Sequence, residues 1–212
     1  MSIPTDLRSR KRLAMRQTIS DAATRLFIER GFDHVTIDEI AKAADVGRMT
    51  VFNYFPRKED MFFDLDEPGR AEIRAALEQR DGAVSPVDTL RLLAHRFAAE
   101  QRPFLAFNED GARFMQTIGR SATLLARARA IRDELAAIVQ SGLAACTGTP
   151  VDDADAQLAA HLLVASWSVA YLQGHHEFQR SKDSAQAHAT FLRLIDQGSA
   201  GVTAAMAHTP YA

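Results

Sequence analysis

An all-α fold is what the sequence predicts, on three observations. Apolar residues recur three and four apart, as in Ile19, Ala22, Ala23, Leu26 and Phe27, which makes one face of an amphipathic helix. Strand-like alternation is hard to find, whereas the helix formers Ala, Leu, Arg and Glu are plentiful. The 11 glycines and 7 prolines are few for 212 residues, and many of them punctuate periodic segments. A hydrophobic share of 47% is enough for a sizeable core, in one domain or two modest ones.

The first helix is expected from Arg10 to Arg30, with Gly31 as its stop. "TIDE" opens the second: Thr36 caps it, Glu39 completes a capping box, and Ile37, Ile40, Ala41 and Ala44 supply the buried face. Asp45 and Val46 make a tight connection to a third helix over Gly47–Tyr54, which Pro56 ends. A fourth starts near Arg57, and Pro68 and Gly69 kink or break it near Asp66. After the loop at 81–86, Ser85-Pro86 suits another helix start. Further helices are expected at about 86–101, 103–118, 121–146, 153–176 and 183–206. These elements divide into a first unit at 1–60, with a basic arm and a helix pair, and a helical body at 61–212.

The net charge of −2 does not by itself suggest a nucleic-acid partner, but the charge is unevenly spread. Arg8, Arg10, Lys11, Arg12 and Arg16 stand against Asp6 alone in the first 16 residues. Such an arm is by default a solvated, disordered terminus. The single cysteine, Cys146, permits no internal disulfide and fits a reducing cytoplasm. No apolar run reaches transmembrane length, and the basic start lacks the apolar centre of a secretion signal. No phosphate loop, nucleophile elbow or paired-acid arrangement stands out, so neither an enzyme nor a cofactor is expected.

"VGRMTVFNYFPRKEDM", 46–61, concentrates unusual chemistry. Two helices joined by a short turn outline a helix-turn-helix, whose second helix enters the major groove. On a helix over Gly47–Tyr54, Val46, Val51 and Phe55 face inward and leave Arg48, Met49, Thr50, Phe52, Asn53 and Tyr54 outside. Arg pairs with guanine, Asn with adenine, and apolar groups meet a thymine methyl. Thr and Tyr hydroxyls and the Lys58 ammonium suit phosphates, and Thr36 and the arm residues Arg8, Arg10, Lys11 and Arg12 join them as DNA-contact candidates. An ordinary solvated helix would not expose Met, Phe and Tyr together.

These residues also carry a resemblance. Residues 19–61, with Ala22-Ala23, Leu26-Phe27, Gly31-Phe32, Thr36, Ile40-Ala41, Val46, Thr50, Tyr54-Phe55 and Lys58-Glu59, resemble the DNA-binding domain of TetR-family transcriptional regulators. The match covers about a fifth of the chain. It implies a homodimer on a palindromic double-stranded operator, and a body that binds a small effector. Two positions depart from the pattern: Asp45 replaces the usual turn glycine, and Gly47 replaces the usual Ser or Thr cap. Asp tolerates the left-handed conformation better than most residues, and Gly is an acceptable N-cap.

The body has no comparable signature. "RPFLAFNEDGARFMQTIG" is expected to put Phe104, Phe107, Gly111, Phe114, Met115 and Ile118 on one helix face. Most of that stripe reads as core, but with Phe97, and with Asn108, Arg113 and Gln116 interleaved, part of it suits the wall of a ligand cavity. Arg113, His95, His161 and Trp167 are candidate anchors. Leu163, Trp167, Phe191, Leu194 and Gly198 mark two helices with small and large apolar residues, which the resemblance assigns to a four-helix dimer interface. "GHHEF", 174–178, lacks zinc spacing and reads as solvent-exposed histidines. The function so implied is a repressor released by a small apolar ligand. An activator or a protein-sensing regulator is the alternative, and a metal- or acid-dependent enzyme the competitor from another class.

Overall fold

The computed structural model describes residues 6–64 and 66–212; residues 1–5 of the expected arm lie outside them. Among the described residues the regular structure is entirely helical. Ten helices run as α1 (Leu7–Arg30), α2 (Ile37–Ala43), α3 (Arg48–Tyr54), α4 (Lys58–Phe62), α5 (Asp66–Glu78), α6 (Pro86–Ala99), α7 (Glu109–Gly119), α8 (Ala122–Thr147), α9 (Ala154–Ser181) and α10 (Ser184–Ala205). No described helix is long and apolar enough to cross a membrane.

Several expectations change. The basic cluster is not a disordered arm: α1 begins at Leu7, capped by the Asp6 carboxylate, which accepts from the Arg8 and Ser9 amides. The break expected near Asp66 is present, since α4 ends at Phe62 and α5 begins at Asp66, but Pro68 and Gly69 lie inside the first turn of α5, where a missing N–H costs nothing. The segment 103–118 is not one helix: a 3-10 turn at Pro103–Leu105 precedes α7, so Phe104 and Phe107 are not on α7 with Phe114 and Met115.

The chain forms two compact units. The first comprises residues 6–64 together with 116–127, the end of α7 and the start of α8. Ile19, Ala23, Phe27, Ile40, Val51, Phe55 and Met61 are fully buried in it. The Phe27 ring meets Phe32 at 4.9 Å and Phe62 at 5.9 Å between centroids. Ser20, buried on α1, donates to the Met61 carbonyl of α4 at 3.0 Å. On the other side, Ser121 Oγ donates to Asp33 at 3.0 Å, and Arg127 pairs with Asp60 at 3.3 Å.

The second unit holds 66–115 and 128–212. Its core includes Leu77, Val87, Leu93, Phe97, Phe107, Leu143, Leu163 and Phe191. Lys182, in the left-handed region at φ 57°, turns α9 back into α10. Gly198 permits a close approach of the two helices: a Cβ there would fall 2.5 Å from that of Ser166. The buried Tyr211 donates to Asp153 at 2.6 Å and meets Thr149 Oγ1 at 2.6 Å, which fastens the end of the chain to the turn between α8 and α9.

Candidate nucleic-acid interface

Helices α2 and α3 are set by local chemistry. Thr36 Oγ1 accepts from the Glu39 amide at 3.3 Å, and the Glu39 carboxylate accepts from the Thr36 N–H at 2.8 Å, the reciprocal capping box. That bond and the Arg30 guanidinium hold the Glu39 carboxyl down at about 2. Asp45 occupies the left-handed region at φ 54°, as the tight turn requires. Gly47 precedes α3 in an extended conformation, without a side-chain cap.

Helix α3 then divides cleanly. Val51 and the following Phe55 are fully buried, which fixes the rotation of the helix. Arg48, Met49, Phe52 and Asn53 face solvent, while Thr50 and Tyr54 are half-buried at the edge. Met49 is 70% exposed, an uncommon position for so apolar a side chain. Val46 is half-buried rather than fully inward.

The cations are more constrained than the sequence suggested. Arg48 pairs with Asp38 of α2 at 3.1 Å and lies over the Phe52 ring, 5.6 Å from its centroid. Lys58 donates to the Phe32 carbonyl at 2.5 Å and sits 4.2 Å from the Phe32 ring centroid. Burial pulls its ammonium below the ordinary lysine value, against the opposing pull of Asp33, Glu59 and Glu39. Thr36 is committed to its capping box. Arg8, Arg10, Lys11 and Arg12 project from the exposed first turns of α1.

Arg16 was missed. Its guanidinium stacks on Phe55 at 4.1 Å, donates to the Tyr54 carbonyl at 2.8 Å and pairs with Asp64 at 2.5 Å. With Ser9, Arg12, Leu13 and Tyr54 it lines a cleft of about 310 Å³. The spacing Arg8, Arg12, Arg16 was the available signal, since residues four apart share a helix face.

In the body, the expected cavity and interface residues sort differently. Phe97 and Phe107 are buried; Phe97 meets Phe104 at 5.0 Å and Trp167 at 6.4 Å. Phe114 and Met115 are half-buried on α7. Arg113 is exposed and pairs with Asp110 at 2.9 Å. His161 is exposed, and His95 pairs with Asp196 at 2.8 Å. Leu163 and Phe191 are each 1% exposed and pack inside their own unit, with Trp167 and Leu194 half-buried beside that core and Gly198 facing Ser166. The exposed apolar face of α9 is one position over: Leu158, Leu162, Val169 and Leu172 are 37–51% exposed. "GHHEF" is also corrected. His176 is exposed, but His175, about 100° further round the helix, is buried. Among the described residues, no group of three or more His, Cys, Asp or Glu is placed to hold a metal ion.

Residues 19–65 match the model of the bacterial regulatory proteins, tetR family. The regulator TcmR of Streptomyces glaucescens is 27% identical over 150 residues, 69% of this chain and 66% of that protein. The regulator AcrR of Shigella flexneri is 38% identical over 78 residues, 37% of this chain and 36% of AcrR. The matched stretches thus span from about a third to just under two-thirds of these relatives. Among solved structures, the SmeT–triclosan complex is similar in fold, with a TM-score of 0.58 and 22% identity over 89% of this chain and 91% of that one. A regulator structure from Mesorhizobium loti has a TM-score of 0.54 and 20% identity over 90% and 97%.

Proposed function

We propose that the chain, whose residues 19–65 match the tetR family of bacterial regulatory proteins, is a homodimeric repressor of that family, released from a palindromic operator by a small, largely apolar effector. The observation that carries the DNA-binding half is the outer face of α3. A fully buried Val51 and Phe55 aim Arg48, Met49, Phe52 and Asn53 outward together. Arg48 and Asn53 supply bidentate base contacts, and Met49 and Phe52 supply apolar contact to thymine methyls. Asp38 holds Arg48 in place before DNA arrives.

Phosphates are met from the flanks. Arg12 and Arg16 of the cleft, with the Tyr54 hydroxyl, lie beside the end of α3, and Arg8, Arg10 and Lys11 extend the basic edge along α1. Thr50 and the remaining Lys58 N–H donors add to them. These contacts are largely blind to sequence, and salt weakens them.

Dimerisation uses the exposed face of α9. Leu158, Leu162, Val169 and Leu172 recur four, seven and three apart, so they form one stripe on a helix whose opposite side is already buried. Two copies joined through this face place two α3 helices in successive major grooves, about 34–36 Å apart.

The effector lies against the rings of Phe97, Phe104, Phe107 and Trp167. The end of α7 and the start of α8, residues 116–127, belong to the first unit, where Ser121 and Arg127 hold Asp33 and Asp60, and the rest of both helices belongs to the second. A ligand that stabilises one arrangement of those helices alters the spacing of the two α3 helices and lowers operator affinity. The coupling is of the order of 1–3 kcal/mol.

The test is binding to selected DNA. Arg48→Ala and Asn53→Ala relax base preference by about 1–3 kcal/mol per bidentate contact. Tyr54→Phe and Arg12→Ala weaken binding to all sequences, and Arg12→Ala flattens the salt dependence. Wild-type affinity and preference in all four variants would remove the proposal.

A further inference from the structure

The second unit contains a buried polar cluster that the contacts described so far leave unexplained. His175 of α9 is 2% exposed, and neither its Nδ1 nor its Nε2 has a hydrogen-bond partner. Its ring meets Tyr171 at 4.6 Å and Phe107 at 5.0 Å between centroids. His188 of α10 meets the same Phe107 ring at 4.9 Å, and its Nε2 is likewise buried without a partner. Phe191 adds a further ring, 5.9 Å from Phe107. Buried polar atoms are normally satisfied, and each that is not calls for a physical reason.

We infer that His175 and His188 are the polar end of the effector site and select a neutral aromatic molecule bearing a hydroxyl group. This rests on the reading of the body as ligand-responsive.

The tautomers decide the chemistry. His188 Nδ1 lies 2.8 Å from the Ser184 carbonyl oxygen, which can only accept, so Nδ1 carries the hydrogen. In the neutral ring Nε2 is then an acceptor and needs a donor from the ligand. Burial pushes the His175 imidazole down to about 4, so at neutral pH it is uncharged and offers one donor and one acceptor. A hydroxyl both donates and accepts, which serves this set. A carboxylate has no hydrogen to give either Nε2, and it would be buried without a countercharge from His175. The walls of Phe107, Tyr171 and Phe191 favour an aromatic body. Phe107 lies outside any helix, between the turn at Pro103–Leu105 and α7, so its ring can yield without breaking a helical hydrogen bond. Arg113 is exposed and paired with Asp110 on α7.

The experiment measures thermal unfolding of the full chain at pH 7.5 with 2-naphthol and with 2-naphthoate, which share a ring system and differ in the polar group. Saturating 2-naphthol raises Tm of the wild type by about 5 °C, and 2-naphthoate leaves it unchanged. The rise is lost in His175→Phe and in His188→Phe and kept in Arg113→Ala. His175→Phe without ligand is as stable as the wild type or more so, because an apolar ring of similar shape replaces an unsatisfied one. No response to 2-naphthol, an equal response to 2-naphthoate, or a response that survives both His→Phe changes would overturn the inference. Operator binding separates the two readings. If 2-naphthol stabilises through the histidines without weakening operator binding, the site stands and ligand release fails. If operator release by another small molecule survives both changes, release stands and this site fails.

Discussion

Ser121 Oγ donates to the Asp33 carboxylate at 3.0 Å, so the turn between α7 and α8 is fastened to the 3-10 turn that follows α1. Asp33 also faces the half-buried Lys58 ammonium, which caps the Phe32 carbonyl of that turn. One carboxylate therefore serves both the α7–α8 corner and the packing of the helix-turn-helix. Asp33→Ala should lower stability by about 1 kcal/mol, the usual worth of such a bond. It should also speed amide exchange at 32–34 and at 119–124 together. Faster exchange in only one of those segments would show that the contact does not couple them.

The turn before α3 makes a second prediction. Asp45 bears a left-handed φ of 54° that Gly adopts without strain. Asp45→Gly should leave stability unchanged or raise it by up to about 1 kcal/mol, while a β-branched Asp45→Val should cost about 1–2 kcal/mol. Gly47→Ser should add a few tenths of a kcal/mol, since the extended backbone suits a cap and a Cβ there meets nothing nearer than 3.8 Å. Chemical denaturation checks all three. A loss of stability in Gly47→Ser would mean that the position does not act as an N-cap.

The interface makes a third. Leu162→Asp and Val169→Asp, at side chains 37% and 51% exposed, should yield folded monomers. Leu163→Asp, at a position 1% exposed, should instead unfold the chain, because it buries an unpaired charge. Light scattering with circular dichroism separates these outcomes. Intact dimers in both of the first two variants would move the interface off α9.

How far the sequence could carry these conclusions depended on how local the cause was. The Thr36–Glu39 capping box, the stop at Gly31 and the outward set on α3 are decided within a few residues, and each was legible. So was the left-handed turn at Asp45. The inward or outward facing of α9 was not. Its apolar residues run round more than one side, so periodicity alone could not tell Leu163, which is buried in the core of its own unit, from Leu162, which is exposed. His175 was misread because its burial depends on Phe107, 68 residues away in the chain, rather than on its neighbours. Arg113 was misread for the opposite reason: a local partner, Asp110, holds it outside. Lys58 looked free because its partner, the Phe32 carbonyl, belongs to the backbone.

A fourth prediction concerns pH. His175 takes up a proton near 6.5 when unfolded but only at about 4 when folded, because burial opposes the charge and His176 adds to the effect. Between those values the unfolded state binds more protons, so stability falls as pH drops from 6.5 toward 4; above 6.5 the group contributes no pH dependence. At about 1.4 kcal/mol per pH unit, its full effect is roughly 3 kcal/mol. His175→Phe should remove that part of the acid sensitivity, and urea titrations of both proteins at pH 7, 6, 5 and 4.5 measure the difference. Parallel curves would mean that His175 is not buried neutral.

The most direct test of the account is selection of binding sites from random double-stranded DNA by the purified full-length chain, followed by footprinting. The account predicts an inverted repeat, with half-sites read from adjacent major grooves about 34–36 Å apart and protected on one face of the duplex. It also predicts that the enriched bases change when Arg48 or Asn53 is replaced by Ala. Recovery of no preferred sequence, or of a single half-site bound by one subunit, would contradict it.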